Sequence, residues 1–324
     1  MKIKNILVTG GSGFIGTNLL SKLSKSEEFK LYSNSYSNIN FKKISGVNYV
    51  QSNLENLEDC RKICKNMDIV IMCAANSSGA AVMEKTPLVH LSPNIRMNVN
   101  MAEAAYEAGV QKFIFISSNT VYPHVDFSVK EEDASFDFFE KYFVVGWMKR
   151  FSEVIMEIYS KKIKLNKMVT IVVRPGNLYG PYDKFDPEKS KVIPSLIRKV
   201  VERQNPLPVW GDGNDLKDFL YIDDFVEALV EIINKVDEYV VLNIASGNGV
   251  TIKQILNIIL KIEKAENLKI NFDTSMPTMI PKRLIDITKV KKYLNFNPKI
   301  SLEEGWWRRR TKQSSYSQYQ KRPY

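Results

Sequence analysis

The amino-terminal stretch, residues 5–20, places the tightest limit on how this chain can fold. It reads NILVTGGSGFIGTNLL: an apolar run, three closely spaced glycines, and then an apolar segment with helical spacing. This order predicts a buried strand, a tight turn and the amino terminus of a helix. Gly10 permits the turn, Gly13 lets the backbone approach a diphosphate, and Gly16 lets the helix pack on the strand. The pattern therefore predicts a dinucleotide-binding site, in which free N–H groups and the helix dipole hold the phosphates.

The rest of the chain repeats the alternation of apolar strands with helical patterns. Residues 68–75 (DIVIMCAA) are almost continuously apolar, as is typical of a parallel strand buried on both faces. This alternation predicts an α/β protein, a Rossmann doubly wound parallel sheet with a smaller carboxy-terminal substrate-binding lobe. The other strands are predicted at residues 29–32, 47–50, 112–118, 169–174 and 239–245.

The regular alternation also suggests how the chain is divided. We expect the dinucleotide-binding domain at residues 1–174 and the substrate-binding lobe at 175–305, where prolines and glycines break the chain into loops. The strand near 239–245 is expected to return to the sheet of the first domain. Residues 306–324 follow no apolar period and are rich in Arg, Gln, Ser and Tyr, so we expect a disordered basic tail.

The net charge of +10 does not indicate a nucleic-acid-binding protein. Six basic residues and no acidic ones lie in residues 306–324, which leaves +4 for the rest of the chain, where aromatic and basic residues are not interleaved. No apolar run is long enough to cross a bilayer, and Lys2 and Lys4 lead directly into the first strand. We therefore expect a cytoplasmic protein without nucleic-acid or membrane partners.

The three cysteines, Cys60, Cys64 and Cys73, form no disulfide framework in the sequence. No histidine pair lies near them to complete a zinc set. Reduced thiols and no metal site are the expectation, as in a cytoplasmic protein.

The segment after the second predicted strand bears on which dinucleotide binds. NAD-binding folds usually place an acidic residue there to hold the ribose hydroxyls. Here Asn34 lies among serines and tyrosines, so no carboxylate repels a 2′-phosphate and no arginine grips it. NADP is thus favoured, with NAD as the alternative. Asn53 and Leu54 follow the third strand, where an adenine edge commonly lies, and the small Ala74 and Ala75 suit close passage of a cofactor.

Several motifs resemble those of the extended short-chain dehydrogenase/reductases that act on nucleotide sugars, in the NAD-dependent epimerase/dehydratase family. They are TGGSGFIG (9–16), SSNTVYP (117–123), GWMKRFSE (146–153) and RPGNLYGP (174–181). Longer stretches at 177–199, 209–224 and 281–289 are similar to the GDP-L-fucose synthases, and this resemblance extends to about residue 305.

The resemblance implies conversion of GDP-4-keto-6-deoxymannose by 3,5-epimerisation and then 4-reduction with NADPH. It also implies a GDP-linked nucleotide sugar as the partner molecule and a homodimer. The cofactor-binding positions that we expect are Gly10, Gly13, Phe14, Ile15, Gly16, Asn34, Asn53, Leu54, Ala74, Ala75, Lys149, Pro175, Asn177 and Leu178.

The family chemistry needs a serine to bond the sugar C4 oxygen, a tyrosine to exchange its proton, and a lysine that lowers the tyrosine pKa and holds the nicotinamide ribose. By the resemblance, the serine is Ser118 and the lysine is Lys149. The tyrosine would lie four residues before Lys149, one helical turn away, but Val145 occupies that position. Tyr142 is the nearest candidate, on the same helix face but roughly 10 Å from Lys149 along the axis. Its alternative role is packing.

Inversion at C3 and C5 needs a base and an acid, which in the family are a cysteine and a histidine. Those positions are Thr120 and Lys191 here. A threonine hydroxyl is a very poor base, whereas Lys191 can serve as a protonated acid or hold a diphosphate. The double epimerisation is therefore left open.

Recognition of the substrate is implied for a set of positive, polar and planar side chains. Lys217 and Arg283 can neutralise a diphosphate, and Trp210 can stack on the sugar. Each can also be a solvated surface charge or a core aromatic. The complete set is Asn177, Lys191, Val192, Trp210, Lys217 and Arg283.

Two other interpretations fit the sequence. A nucleotide-sugar 4-epimerase or 4-reductase would need neither Thr120 nor Lys191 as acid or base. A catalytically silent NAD(P)-binding sensor or scaffold is the other interpretation. It is favoured because Val145, at the position of the family tyrosine, has no exchangeable side-chain proton.

Overall fold

A computed structural model describes residues 3–36, 41, 43–77, 86, 88–163, 165–187, 190–276 and 278–312, with side chains to residue 308. The strands are β1 (Lys4–Thr9), β2 (Phe29–Ser35), β3 (Val47–Gln51), β4 (Ile69–Met72), β5 (Lys112–Ile116), β6 (Ser128–Val129), β7 (Val169–Pro175), β8 (Asn177–Tyr179), β9 (Leu207–Trp210), β10 (Leu216–Tyr221), β11 (Val240–Ile244), β12 (Gly249–Thr251), β13 (Ile270–Asp273) and β14 (Lys282–Ile285). The helices are α1 (Phe14–Leu23), α2 (Leu57–Cys64), α3 (Leu88–Glu107), α4 (Phe143–Lys161), α5 (Val192–Val201), α6 (Ile222–Lys235), α7 (Ile252–Ile262), α8 (Thr288–Leu294) and α9 (Leu302–Lys312).

Seven parallel strands form the main sheet, in the order β11-β7-β5-β4-β1-β2-β3. Successive side chains of a strand point to opposite faces, so β1 places Ile6 and Val8 in one hydrophobic core and Leu7 in a second. Residues of α1 and α6 belong to the first core, and residues of α2, α3 and α4 belong to the second. Helices thus cover both faces, which confirms the predicted Rossmann doubly wound sheet.

The strand order of the main sheet reverses at β1. Strands β2 and β3 lie on one side of β1, whereas β4, β5, β7 and β11 lie on the other. The crevice at the carboxyl ends of β1 and β4 is therefore the topological switch point, where open α/β sheets bind ligands. Gly10 and Cys73 directly follow these two strands and mark that place.

Two smaller sheets lie beyond the carboxyl ends of the main sheet. One has the order β12-β10-β14-β6, with β8 also paired to β10, and the other pairs β13 with β9. Only Gly176 separates β7 from β8, so the main sheet leads directly into the smaller one. The register of Asn177 opposite Phe219 fixes this junction. Strand β6 comes from residues 128–129, within the first half of the chain, and completes the edge of the smaller sheet.

The expectation of disorder from residue 306 onward is wrong at its start. Residues 306–312 continue α9, and Trp306 is only 5% exposed, within the hydrophobic core. A single buried tryptophan and the Arg308–Glu304 ion pair stabilise this end, and neither produces an apolar period in the sequence. Residues 313–324 lie outside the described part of the chain. None of the helices in the described residues combines the length and the apolar character that crossing a bilayer requires.

Candidate active site

The turn between β1 and α1 has the geometry that the glycine pattern predicts. Gly10 has a φ of +66°, in the left-handed region that favours glycine, and a Cβ there would come within 2.8 Å of the Ala74 Cα. A Cβ on Gly16 would overlap the carbonyl oxygen of Gly10. Gly13 precedes the first residue of α1, whose free N–H groups face the turn. The tight turn is therefore possible only because these positions carry no side chain, and this cradle places the first N–H groups of α1 as a diphosphate-binding site requires.

Asn34 is tied to this turn by its side chain. It is 3% exposed, and its Oδ1 accepts a hydrogen bond of 2.8 Å from the backbone N–H of Gly10. Because the oxygen is used in this way, the Nδ2 group is the end that remains for a ligand. A carboxylate at the same place would offer an acceptor where Asn34 offers a donor.

The two residues predicted for the adenine differ in exposure. The Oδ1 of Asn53 accepts from the backbone N–H of Glu55 at 3.0 Å, so this side chain is already partly engaged. Leu54 is 3% exposed, and its side chain belongs to the core between α2 and the sheet. An adenine would therefore meet Asn53 and not the Leu54 side chain.

Ser118 lies just past the carboxyl end of β5, at the start of the turn Asn119–Val121. Its Oγ accepts from the Thr120 backbone N–H at 3.2 Å and from Thr120 Oγ1 at 3.0 Å. A Cβ on Gly146 would lie 2.7 Å from the Thr120 carbonyl oxygen, so glycine alone lets α4 come this close. The close approach brings Lys149, on the next turn of α4, to the Ser118 loop.

Lys149 carries the most perturbed amine of the site. Its Nζ donates to the Ile116 carbonyl at 2.8 Å and lies 4.9 Å from the centre of the Phe115 ring. Burial lowers its pKa from 10.5 to about 8, against the opposing effects of Glu153 and Cys73. Burial also raises the pKa of the Cys73 thiol to about 12. The lysine is therefore mostly protonated at neutral pH and loses its proton at slightly alkaline pH.

A buried polar network holds α4 against β5 and β7, and sequence reasoning missed it. Glu153, which is fully buried, accepts from Arg174 Nε at 2.9 Å and from its Nη2 at 2.7 Å, and it also accepts from the Ser117 hydroxyl. Arg174 Nη1 donates to the Tyr122 hydroxyl at 3.0 Å. Since both carboxylate oxygens are engaged, Glu153 acts on Lys149 through space and fixes its helix. Both residues lie in motifs named above, Glu153 in 146–153 and Arg174 in 174–181, but the motifs do not indicate that the two side chains form an ion pair.

Tyr142 does not lie beside Lys149. Its hydroxyl accepts from the Ile280 backbone, and burial raises its pKa to about 12 in a setting that also includes Arg283 and Asp215. The turn Glu140–Tyr142 is a 3-10 helix and α4 begins at Phe143, so the ideal helical register assumed from the sequence does not extend back to Tyr142. The structure therefore does not bring Tyr142 together with Lys149, and Val145 remains one turn from the lysine.

Lys191 lies at the glycine turn. It is exposed at the start of α5, and its Nζ is 5.9 Å from the centre of the Phe14 ring, the first residue of α1. Val192, the first residue of α5, is half-buried next to it. Phe14 and Ile15 are both half-buried and pack against the core.

Arg283 is the most deeply buried of the predicted substrate contacts, at 2% exposure. It donates to the carbonyls of Tyr122 and Pro123, both at 2.9 Å, and its Nε has no hydrogen-bond partner among the described residues. Burial lowers its pKa to about 10. Arg283 therefore carries a positive charge that no carboxylate of the described chain contacts.

The remaining predicted contacts lie on β7, β8, β9 and β10. Lys217 pairs with Asp215 at 3.0 Å, and Asn177 Nδ2 donates to the Asp218 carbonyl at 2.9 Å. Trp210 ends β9 and is 39% exposed, with Lys199 over its ring. Of the last two predicted cofactor contacts, Pro175 accepts at its carbonyl from Asn119, whereas the Leu178 side chain is 7% exposed in the core.

With this geometry in place, the comparison with known proteins decides the family. Residues 6–245 match the model of the NAD dependent epimerase/dehydratase family. The chain belongs to that family. It is therefore an NAD(P)-dependent enzyme of the group that contains nucleotide-sugar epimerases and reductases.

Relatives of this epimerase/dehydratase family member have several activities. The chain is 26% identical over 324 residues to dTDP-4-dehydro-6-deoxy-D-allose reductase of Streptomyces bikiniensis, covering 95% of this chain and 98% of that one. It is 31% identical over 244 residues to a GDP-L-fucose synthase of Sinorhizobium fredii, covering 73% and 76%. The crystal structure of UDP-glucose 4-epimerase of Thermotoga maritima with UDP-glucose superimposes with a TM-score of 0.82 at 26% identity, covering 93% and 96%.

The cradle fits the cofactor that the family implies. The glycines let the turn pack closely against Ala74 and the start of α1, whose first N–H groups can face a phosphate, and Asn34 holds the turn by accepting from Gly10. Lys149 Nζ and Ser118 lie at the carboxyl end of β5, the strand next to β4 in the sheet. A nicotinamide dinucleotide held in this way would supply or accept a hydride.

Proposed function

We propose that this enzyme reduces the C4 carbonyl of a nucleotide-linked 4-keto-6-deoxy sugar, with NADPH as the hydride donor. The observation that carries the proposal is the Ser118 hydroxyl. Two donors from Thr120 fill its acceptor positions, so its own proton is left to bond an incoming carbonyl oxygen. Lys149 adds a positive charge at the same strand end, where negative charge develops on that oxygen during hydride transfer.

NADP as the preferred cofactor is supported by the orientation of Asn34. Its amide oxygen accepts from Gly10, so an adenosine ribose bound beside it would meet an amide donor and not a carboxylate. A 2′-phosphate is an acceptor and is not repelled there. NAD, whose ribose hydroxyl can also accept from an amide, is the weaker alternative.

The buried guanidinium of Arg283 supports a diphosphate-linked substrate. Its charge has no carboxylate contact within the described residues, and an anion would compensate it. Lys217, Asn177 and Trp210 would complete the site with a second charge, an amide and an aromatic wall. Guanosine diphosphate is our first choice for the nucleotide, because the sequence identity to the GDP-L-fucose synthase of Sinorhizobium fredii is 31%, against 26% to the dTDP-sugar reductase.

A second candidate is the full GDP-L-fucose-synthase-like reaction, with 3,5-epimerisation before reduction. The similarity to the Sinorhizobium fredii enzyme favours it. The geometry supports it less, because the Thr120 hydroxyl donates to Ser118 and Lys191 lies over Phe14 at the glycine turn. Neither group is a good base for a sugar carbon, so we propose reduction without double epimerisation.

Incubation with NADPH and GDP-4-keto-6-deoxymannose in deuterium oxide tests the proposal. We expect oxidation of NADPH and formation of a GDP-6-deoxyhexose without deuterium at C3 and C5, detected by mass spectrometry and NMR. Deuterium at both carbons would establish the second candidate. No oxidation with either the GDP- or the dTDP-linked 4-keto sugar would refute the proposed reduction.

Homodimer formation through the outer face of α4 is part of the proposal. Phe143 is 54% exposed and Trp147 is 38% exposed on that helix, an apolar patch that a second copy would cover. Sedimentation equilibrium is expected to give twice the chain mass, and Trp147→Glu is expected to give the single-chain mass. A monomer at micromolar concentration of the unaltered chain would refute the dimer.

A further inference from the structure

The proposed reduction needs a proton for the sugar oxygen, and the obvious donors in the site are absent. Val145 lies one turn of α4 before Lys149, half-buried, and carries no exchangeable proton. The Tyr142 hydroxyl is directed to the Ile280 backbone instead. Ser118 can bond the oxygen, but a serine hydroxyl is too weak an acid to give up its proton unaided.

Lys149 is the group that can donate a proton to the sugar oxygen. Its ammonium has three protons, of which one is donated to the Ile116 carbonyl at 2.8 Å. No second acceptor among the described residues lies within hydrogen-bond distance of Nζ. The ionisable groups that face it are Glu153 on its own helix, which is paired with Arg174, and Cys73 at the end of β4. Burial raises the pKa of that thiol to about 12, so neither competes with the lysine as a proton source near neutral pH.

The position of the ammonium indicates an indirect transfer. Its anchor, the Ile116 carbonyl, lies two residues before Ser118, and two residues of extended chain span roughly 6.6 Å. Two hydrogen bonds in series, through a single water, cover roughly 5.6 Å. Val145 lies one helical turn before Lys149, on the same face of α4, and its side chain is short.

We propose that Lys149 is the proton donor of the reduction and acts on the sugar C4 oxygen through one water molecule, which accepts a hydrogen bond from its ammonium on the side of α4 where Val145 lies. This inference rests on the proposed function. The carbonyl carbon gains the hydride, and its π bond to oxygen breaks. The oxygen takes a proton from the water, the water takes one from Nζ, and the neutral amine regains a proton from solvent after the product leaves. The sugar is reduced and the dinucleotide oxidised, so electrons and protons balance.

A matched pair of variants at one position provides the test. Val145→Phe fills the path without adding an acid, and we expect kcat to fall by about 10²-fold to 10⁴-fold while NADPH affinity stays within threefold. Val145→Tyr fills the same space with a hydroxyl, and we expect kcat at least tenfold above that of Val145→Phe. In the unaltered enzyme kcat/KM should fall above pH 8, since the protonated lysine is required, and Lys149→Arg should lose both most of the rate and this alkaline limb. Equal rates for Val145→Phe and the unaltered enzyme would overturn the proposal.

A titration that does not depend on turnover separates this inference from the proposed function. The Cε signal of Lys149, assigned by comparison with Lys149→Arg, can be followed by NMR in ¹³C-lysine-labelled protein from pH 6 to 11. A midpoint near 8 supports the inference, and one near 10.5 overturns it. If only Val145→Tyr reduces a 4-keto sugar nucleotide, the substrate is correct and the lysine–water donor is wrong. If neither the unaltered enzyme nor Val145→Tyr reduces a 4-keto sugar nucleotide, the proposed function fails, and the NMR midpoint alone decides about Lys149.

Discussion

Replacing Lys149 with methionine is expected to stabilise the protein at the expense of its activity. Burial lowers the pKa of Lys149 from 10.5 to about 8, which corresponds to about 3 kcal/mol of destabilisation at neutral pH, at about 1.4 kcal/mol per pH unit. Part of this is not recovered, because the Ile116 carbonyl loses a hydrogen bond worth about 1 kcal/mol and the lysine retains some exposure. We expect Lys149→Met to raise the free energy of unfolding by about 1–2 kcal/mol at pH 7 without cofactor.

The size of the effect depends on pH in a defined window. The folded protein binds fewer protons than the unfolded chain between pH 8 and 10.5, because the pKa of Lys149 is lower in the folded state. The contribution of this lysine to stability therefore becomes less unfavourable as the pH rises through that window. The advantage of Lys149→Met should be full below pH 8 and absent at pH 10.5.

Urea unfolding of both proteins at pH 7 and pH 10.5, followed by circular dichroism, measures this difference. Lys65→Met is the matched control, since Lys65 is exposed at the end of α2 and its replacement should change stability by less than about 0.5 kcal/mol. A loss of stability in Lys149→Met at pH 7, or a gain that does not shrink at pH 10.5, would refute the view that Lys149 is held in a desolvated site.

Three further predictions concern the cradle and the support of the site. Gly16→Ala should abolish detectable NADPH binding by fluorescence titration, because its Cβ would overlap the Gly10 carbonyl; binding within threefold of the unaltered chain would show that this contact does not shape the cradle. Asn34→Asp should lower the ratio of NADPH to NADH affinity by at least about tenfold, since a carboxylate repels the 2′-phosphate, and calorimetry with both cofactors would reveal an unchanged ratio if Asn34 faces elsewhere. Arg174→Met removes the two-bonded partner of the buried Glu153 carboxylate and leaves it only Arg150 as a charged partner, at 3.4 Å, which should cost about 3–5 kcal/mol in urea unfolding; a cost below about 1 kcal/mol would contradict the role given to this pair.

Local patterns in the sequence were sufficient to predict the main sheet and the cradle. The apolar run and the glycines at 10, 13 and 16 are governed by backbone geometry within one strand–turn–helix unit, so the residues themselves predict the close contacts. The alternation of β1 between two cores likewise follows from its two-residue period. The contact of Gly16 with Gly10 and the alternation of β1 involve only neighbouring residues, whereas the approach of Gly10 to Ala74 also requires β4.

The parts that could not be predicted depend on distant partners or on where a helix begins. The pairing of Glu153 with Arg174 joins α4 to β7, and no spacing rule connects the two residues. Tyr142 was a reasonable candidate only on an ideal helix, whereas a 3-10 turn precedes Phe143 and directs the hydroxyl to Ile280. The helix at residues 306–312 depends on the burial of Trp306; the adjacent Trp307 is exposed, and the pair allows an anchor for this segment but produces no apolar period that predicts a helix.

The central claim is that the dinucleotide held at the glycine turn delivers a hydride to C4 of a keto sugar beside Ser118 and Lys149. The most direct measurement is mass spectrometry and NMR of the product formed with NADPH that carries deuterium at both positions of the nicotinamide C4. The account predicts one deuterium per sugar, located at C4. A reduced sugar without deuterium at C4, or no reduced sugar from any 4-keto-6-deoxy nucleotide, would contradict it.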